Sequence, residues 1–219
     1  MITAVVAVRA GSQRVKKKNI RPFGDSNLLE MKLRILKKVK NIDKIIVNSD
    51  SEEMLQIAQK YGVDLHKRED YYASSEATNS EFHGHIAEVT QANAIFLAPV
   101  CSPFVSVESH EKAIQYYLDN DFDSVTSVTE VKNHLWLDNR PLNYNLDSVP
   151  NSQDLPDIVK LTYGITITNR EIMREKKRVV GDIPGFYRLD EIESVDIDTE
   201  FDFFIAEQIY NKGVKNVKF

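Results

Sequence analysis

Ile2 to Val8 is a continuous apolar run rich in valine, the pattern of a strand covered on both faces. Polar and basic residues from Arg9 to Asn19 end it and predict a loop. Leu29, Leu33, Leu36 and Val39 then recur at helical spacing, which predicts a helix over Leu28 to Val39. Lys44 to Ser49 repeats the buried-strand pattern around Ile45, Ile46 and Val47. Ser51 opens a second helix carried by Leu55, Ile57, Ala58 and Tyr61, and Gly62 stops it. A short strand is expected over Val63 to Lys67, then a helix over Ser80 to Gln91 and a strand over Ala94 to Val100. A helix over Val107 to Leu118 and a strand over Ser124 to Val131 complete the regular part.

This alternation predicts an α/β fold of Rossmann-like type, a mostly parallel sheet flanked by helices, within one domain spanning 1–219. The rhythm breaks at Lys132 to Lys160, which is rich in Asn, Asp and Pro and holds the only tryptophan, Trp136. It is too long for a bare connector and reads as an inserted arm. Leu161 to Thr168 is then expected as a strand, Glu171 to Lys176 as a short helix, and Ser194 to Ile197 as a strand. A last helix runs from about Thr199 to Asn211. Tyr187 and Arg188 are assigned to a turn, either packed or bordering a site.

Composition narrows the partners. With 219 residues and 42% hydrophobic content, the chain can bury one sizeable core. A net charge of −5 argues against nucleic acid and against an anionic membrane surface. The single cysteine, Cys101, excludes an internal disulfide framework and a cysteine-rich zinc site. No apolar run approaches the roughly 18 residues of a membrane span. Strand-like sequence follows Met1 directly, without a leader pattern, so a cytoplasmic protein is expected.

Against this acidic background, five of the eleven residues from Arg9 to Asn19 are basic: Arg9, Arg14, Lys16, Lys17 and Lys18. In open α/β sheets the loop after the first strand is the usual seat for phosphate. Gly11 is expected to permit a tight turn that aims amides at phosphate oxygens, with the cations neutralising charge. A solvated surface loop is the plainer alternative. Neither a Walker loop nor a G-x-G-x-x-G turn is present, which removes support from ATPase and NAD readings.

Near the other end, Asp196-Ile197-Asp198 places two aspartates on one side of an expected strand with Ile197 turned inward. Paired carboxylates of this kind suit Mg²⁺ completed by substrate phosphates. Thr199 and Asp202 also resemble a helix cap, which offers Asp198 a purely structural employment. A basic loop with a carboxylate pair supplies the two parts that nucleotidyl transfer requires. Phe82-His83-Gly84-His85 has the wrong spacing for a nucleotidyltransferase H-x-G-H motif and falls within an expected helix.

These residues resemble a known family. Arg9-Ala10-Gly11-Ser12-Gln13-Arg14 with Lys18-Asn19 is similar to the opening signature of the acylneuraminate cytidylyltransferases, the CMP-sialic acid synthetases. Ser194 to Glu207, SVDIDTEFDFFIAE, resembles that family's closing motif. Asn48-Ser49-Asp50-Ser51, Arg68 with Tyr72-Ala73-Ser74, Cys101-Ser102-Pro103-Phe104 and Gly164-Ile165-Thr166-Ile167 match weaker stretches between.

The resemblance implies CMP transfer from CTP to the anomeric hydroxyl of a nine-carbon sugar acid, such as N-acetylneuraminic, legionaminic or pseudaminic acid, with release of pyrophosphate. The catalytic set it implies is Arg9, Gln13, Lys18 and Asp198. Arg9, Ala10, Gly11, Ser12 and Lys18 would hold the phosphates and Asn19 the nucleoside, while Arg68 and the backbone near Ala77 would read cytosine. Asp196 and Asp198 would bind Mg²⁺. It implies a homodimer, with the arm reaching the partner's site.

Four residues depart from the family pattern. Gln13 stands in place of a lysine, and Ala98, Val105 and Tyr163 fall where the sugar pocket is expected. Transfer to the eight-carbon sugar KDO or another sugar acid, and a nucleotide-binding homologue with impaired catalysis, are the alternatives.

Overall fold

A computed structural model describes residues 1–213. Its strands are β1 (Ile2–Val8), β2 (Pro22–Phe23), β3 (Ser26–Asn27), β4 (Lys44–Ser49), β5 (Asp64–Lys67), β6 (Ala94–Leu97), β7 (Ser124–Val131), β8 (Trp136–Leu137), β9 (Arg140–Pro141), β10 (Ile158–Asn169) and β11 (Pro184–Arg188). Its helices are α1 (Leu28–Leu36), α2 (Glu52–Gln59), α3 (Asp70–Ala73), α4 (Asn79–Val89), α5 (Val107–Leu118), α6 (Arg170–Lys176) and α7 (Glu200–Asn211).

Seven strands form the main sheet in the order β11-β7-β10-β6-β1-β4-β5. Only the ladders that β10 makes with β6 and β7 are antiparallel. The chain proceeds from β1 to β4 and β5 on one side, then returns to place β6 on the other side of β1. That reversal leaves a crevice beyond the carboxyl end of β1, where α/β sheets bind ligands. The valine-rich run is central as its pattern predicted. Val5 packs with Ile86, Ala87, Ile95 and Met173 on one face. Ala4, Val6 and Val8 join the larger cluster on the other.

Four sequence expectations are corrected. Ser194 to Ile197 is not a strand, because its backbone partners lie outside any ladder: Ile197 N–H donates to the Cys101 carbonyl at 2.9 Å, and the Ile197 carbonyl accepts from Lys18 Nζ at 2.5 Å. The turn assigned to Tyr187 and Arg188 is strand β11, paired parallel to β7 at the sheet edge. Its Pro184 and Gly185 mask the strand signal, and a first-residue proline on an edge breaks no ladder bond. Strand β10 starts at Ile158, within the stretch expected to be arm. The expected strand over Ala94 to Val100 ends at Leu97.

Two titratable side chains lie in the core beneath the site. Lys32 on α1 donates from Nζ to the Ser102 carbonyl at 3.0 Å, and burial lowers its pKa to about 8. His110 Nδ1 lies 2.6 Å from the Ser106 carbonyl, so Nδ1 carries the proton, and the buried Nε2 has no partner. Burial, followed by the nearby Lys32 charge, lowers the His110 pKa to about 3.

As pH falls below the ordinary histidine value of 6.5, the unfolded chain therefore protonates before the folded one. This stability is intact above about pH 6.5 and is lost progressively toward pH 3, amounting to about 2 kcal/mol by pH 5. In urea titrations at pH 7 and pH 5, His110→Met is expected to lose less stability than the wild type. Parallel losses would show that His110 does not carry the acid limb.

Candidate active site

The basic loop leaves the carboxyl end of β1 and is pinned by buried Val15. It lines a cleft of about 310 Å³ with Arg9, Ser12, Gln13, Arg14, Lys18 and Asn19 on one side and Pro99, Val100, Cys101 and Asp198 on the other. The two motifs, nearly 190 residues apart in sequence, meet here. Arg14 Nη2 lies 2.7 Å from Asp198 Oδ1, and Lys18 Nζ lies 3.8 Å from the same oxygen.

The acidic segment is held by its surroundings. Ile197 is fully buried, and despite the absence of a strand Asp198 is turned to the cleft. Helix α7 docks through Phe203, whose ring meets Phe23 edge-on at 5.5 Å, while Arg21 lies 4.3 Å above the Phe203 ring. Capping of α7 falls to Thr199 and Asp202: Asp202 Oδ2 accepts from the amides of Asp198 and Thr199. The Asp198 carboxylate is thereby left to the cleft. Asp196 is exposed as a residue, but its carboxyl is set against the Cys101 thiol. Desolvation there, together with the Asp198 charge, raises its pKa. Burial first, then Asp196, pushes the Cys101 thiol up to about 12, which makes it a packed hydrogen-bond donor and a poor nucleophile.

Several loop residues already have partners. The Ala10 amide donates to Asp50 Oδ1 at 3.0 Å, and the Ser12 amide to the Ala10 carbonyl at 2.9 Å. Asn19 is buried and donates from Nδ2 to the Arg9 carbonyl at 3.1 Å, locking the loop base. Gly11 does not have a positive φ, and a Cβ on it would meet nothing within 4 Å. The loop's left-handed residue is instead Lys17, with φ 54°. Glycine at position 11 thus leaves an open approach to the backbone and is not required by a turn, contrary to the sequence expectation. Gln13 is exposed on the cleft wall and has no hydrogen bond in the structure.

A second cavity of about 470 Å³ adjoins the first and shares Ala7 and Arg9 with it; Arg68, Tyr72, Ser74, Ala77 and Phe82 are among its other lining residues. Arg9 Nη1 donates to the carbonyls of Ala73 and Ser74 at 3.0 Å each, fixing its wall. Arg68 is buried, and its guanidinium lies 5.0 Å from the Phe82 ring. Burial, with Arg9 nearby, lowers the Arg68 pKa to about 10, so the group remains a cation at neutral pH.

A third cavity of about 340 Å³ is lined by Ala98, Tyr163, Phe82, His83 and Thr166 among others. Val105, expected beside Ala98 and Tyr163, is instead fully buried in the core, where its Cγ2 lies 3.1 Å from the position a Gly164 Cβ would take. Sequence reasoning assigned no role to Tyr72, and quoted Asp50 only within a motif. Asp50 ties the basic loop to the end of β4, a contact between segments 40 residues apart with no local signal.

Among the described residues, no group of three or more His, Cys, Asp or Glu is arranged to hold a metal. Of the two aspartates only Asp198 lines the cleft, while Asp196 is set against Cys101 with its pKa raised first by desolvation; the hard oxygen donors of the pair suit Mg²⁺, and an ion shared with substrate phosphates needs only one or two carboxylates. No helix among the described residues is long and apolar enough to cross a membrane.

A family model described as cytidylyltransferase matches residues 3–155. The post-translational flagellin modification protein B of Campylobacter coli is 25% identical over 219 residues, covering 94% of this chain and 93% of that protein. The N-acylneuraminate cytidylyltransferase of Escherichia coli is 27% identical over 220 residues, covering 96% of this chain and 52% of that protein, so the chain spans about half its length. A solved CMP:2-keto-3-deoxy-manno-octonic acid synthetase complexed with CTP superposes with a TM-score of 0.71 at 11% identity, covering 97% of this chain and 99% of that one. This last likeness is one of fold.

Proposed function

We propose that this chain, which belongs to the cytidylyltransferase family, transfers CMP from CTP to the anomeric hydroxyl of a sialic-acid-like sugar acid and releases pyrophosphate. The observation that carries the reading is the convergence of Arg14 and Lys18 with Asp198 across one cleft at the end of β1. The similarity to an N-acylneuraminate cytidylyltransferase supports a nine-carbon acceptor.

In this reading the triphosphate lies along the cleft, where Lys18 and Arg14 offset its charge, and the base enters the adjoining cavity beside Arg68 and Ala77. The acceptor hydroxyl attacks the α-phosphorus, and the bond to pyrophosphate breaks. Catalysis then rests on positioning and charge stabilisation, with no covalent step on the protein. Mg²⁺ held by Asp196 and Asp198 would supply further charge neutralisation at the phosphates. The Arg14 side chain is 65% exposed, so its ion pair with Asp198 is weak and gives way readily to a ligand.

The deciding experiment mixes protein, CTP and Mg²⁺ with N-acetylneuraminic, legionaminic, pseudaminic and KDO acids and measures pyrophosphate. Release with a nine-carbon acid is expected. Release with KDO alone would move the assignment to that sugar, and CTP binding without any release would leave a non-catalytic homologue.

Gln13→Lys adds a cation to an exposed, unpartnered position on the cleft wall and is expected to leave turnover unchanged or raise it. A large loss in steady-state kcat would show that the amide has a role of its own. The proposal includes a cytoplasmic homodimer joined through the arm, since Trp136, Leu137, Leu142, Leu146 and Val149 are all exposed. Sedimentation of the purified chain tests the oligomer.

A further inference from the structure

Arg68 enters its cavity from a chain of hydrogen bonds that runs back through Asn48 to His66. Its Nε donates to Asn48 Oδ1, and its Nη2 donates to the Asn48 carbonyl at 2.7 Å. Asn48, at the end of β4, therefore grips two of the three guanidinium nitrogens, while the structure gives Nη1 no hydrogen bond. The other end of the Asn48 amide, Nδ2, lies 2.8 Å from His66 Nδ1 on the neighbouring strand β5, whose register pairs the two residues.

Donor and acceptor chemistry fixes this chain in one sense. A guanidinium only donates, so the Asn48 atom facing Arg68 must be the oxygen, which turns the NH₂ toward His66. His66 Nδ1 must then accept, and its proton resides on Nε2. A doubly protonated imidazole would put N–H against N–H. Asn48 could satisfy it only by turning its oxygen away from Arg68.

We propose that Asn48 and His66 are positioning residues that set the Arg68 guanidinium for the nucleotide, and that the setting holds only while His66 is neutral. This rests on the reading of Arg68 as a nucleotide contact. The surroundings favour the neutral state. Arg68 and Glu69 face His66 from beyond β5, and His85 faces it from α4 with its ring 5.6 Å away and Glu88 behind. Burial and the Arg68 charge outweigh Glu69, and the His66 pKa lies below its ordinary value. His85 is buried with Nε2 unpartnered and stacks on cavity-lining Tyr72 at 4.0 Å, which carries any shift of the pair to the cavity wall. Nucleotide affinity is consequently full at neutral pH and falls as acid protonates His66.

CTP dissociation constants measured calorimetrically with Mg²⁺ at pH 7.5 and 5.5 test this. The titration of CTP itself is common to all variants and cancels between them. His66→Gln supplies an acceptor that does not titrate, on an edge strand where the exchange is well tolerated. Wild-type affinity is expected to drop several-fold more than that of His66→Gln across the interval, short of the roughly tenfold that an unshifted imidazole would give, because the His66 pKa lies below its ordinary value. Asn48→Leu is expected to bind about tenfold more weakly at pH 7.5 and to lose the extra acid response. A wild-type pH response retained in His66→Gln, or wild-type affinity in folded Asn48→Leu, would overturn the positioning role. Wild-type affinity in Arg68→Ala would instead sink the parent reading, which keeps the two failures separate.

Discussion

Asp198→Ala is expected to reduce kcat by about 10²–10³ while leaving the fold intact, the loss typical of removing one preorganised charge-stabilising group. Stability is spared because its side chain is 44% exposed and its partners, Arg14 and Lys18, remain solvated or hydrogen-bonded elsewhere. Exposed pairs of this kind contribute at most about 1 kcal/mol. The α7 cap survives as well, since it depends on Thr199 and Asp202. The check pairs thermal melting with steady-state pyrophosphate release at several Mg²⁺ concentrations. Undiminished Mg²⁺-dependent turnover would remove Asp198 from the site.

Lys18→Met removes two things at once. The Nζ group is mostly buried; it supplies charge 3.8 Å from Asp198 and donates to the Ile197 carbonyl, holding the acidic segment against the basic loop. Loss of the charge alone is expected to reduce kcat/KM for CTP by about 10²–10³. Loss of the tether adds about 1–3 kcal/mol of destabilisation, because the Ile197 carbonyl is left short of a partner. Lys18→Arg keeps the charge but not the geometry of a single short donor, and partial rescue is the expected outcome. If Lys18→Met lost stability without losing activity, the residue would be a structural tether only.

The placement of the cleft was legible because its determinants are local. Ile2 to Val8 reads as a buried strand from composition alone, and the basic loop follows it directly. Ile197 between two aspartates turns inward whether or not the backbone forms a ladder, since its burial is driven by its apolar side chain alone, and Asp198 beside it reaches the cleft. The expected strand there failed because the Cys101 carbonyl and Lys18 took its backbone bonds, and those partners lie 96 and 179 residues away. The role expected for Gly11 failed for a related reason: residue type marks a permitted conformation, and within the basic loop the left-handed residue is Lys17.

By itself, the sequence determined the layered α/β architecture, the basic loop at the end of β1 and the acidic pair before the last helix, because hydrophobic period and charge run are properties of neighbours. Only the tertiary structure decided which amides of that loop are already occupied, that Val105 belongs to the core, and that Asn48 and His66 stand behind Arg68. Those facts depend on pairings between strands and loops far apart along the chain. Such pairings are selected by the packing of the whole sheet, and no local pattern encodes them.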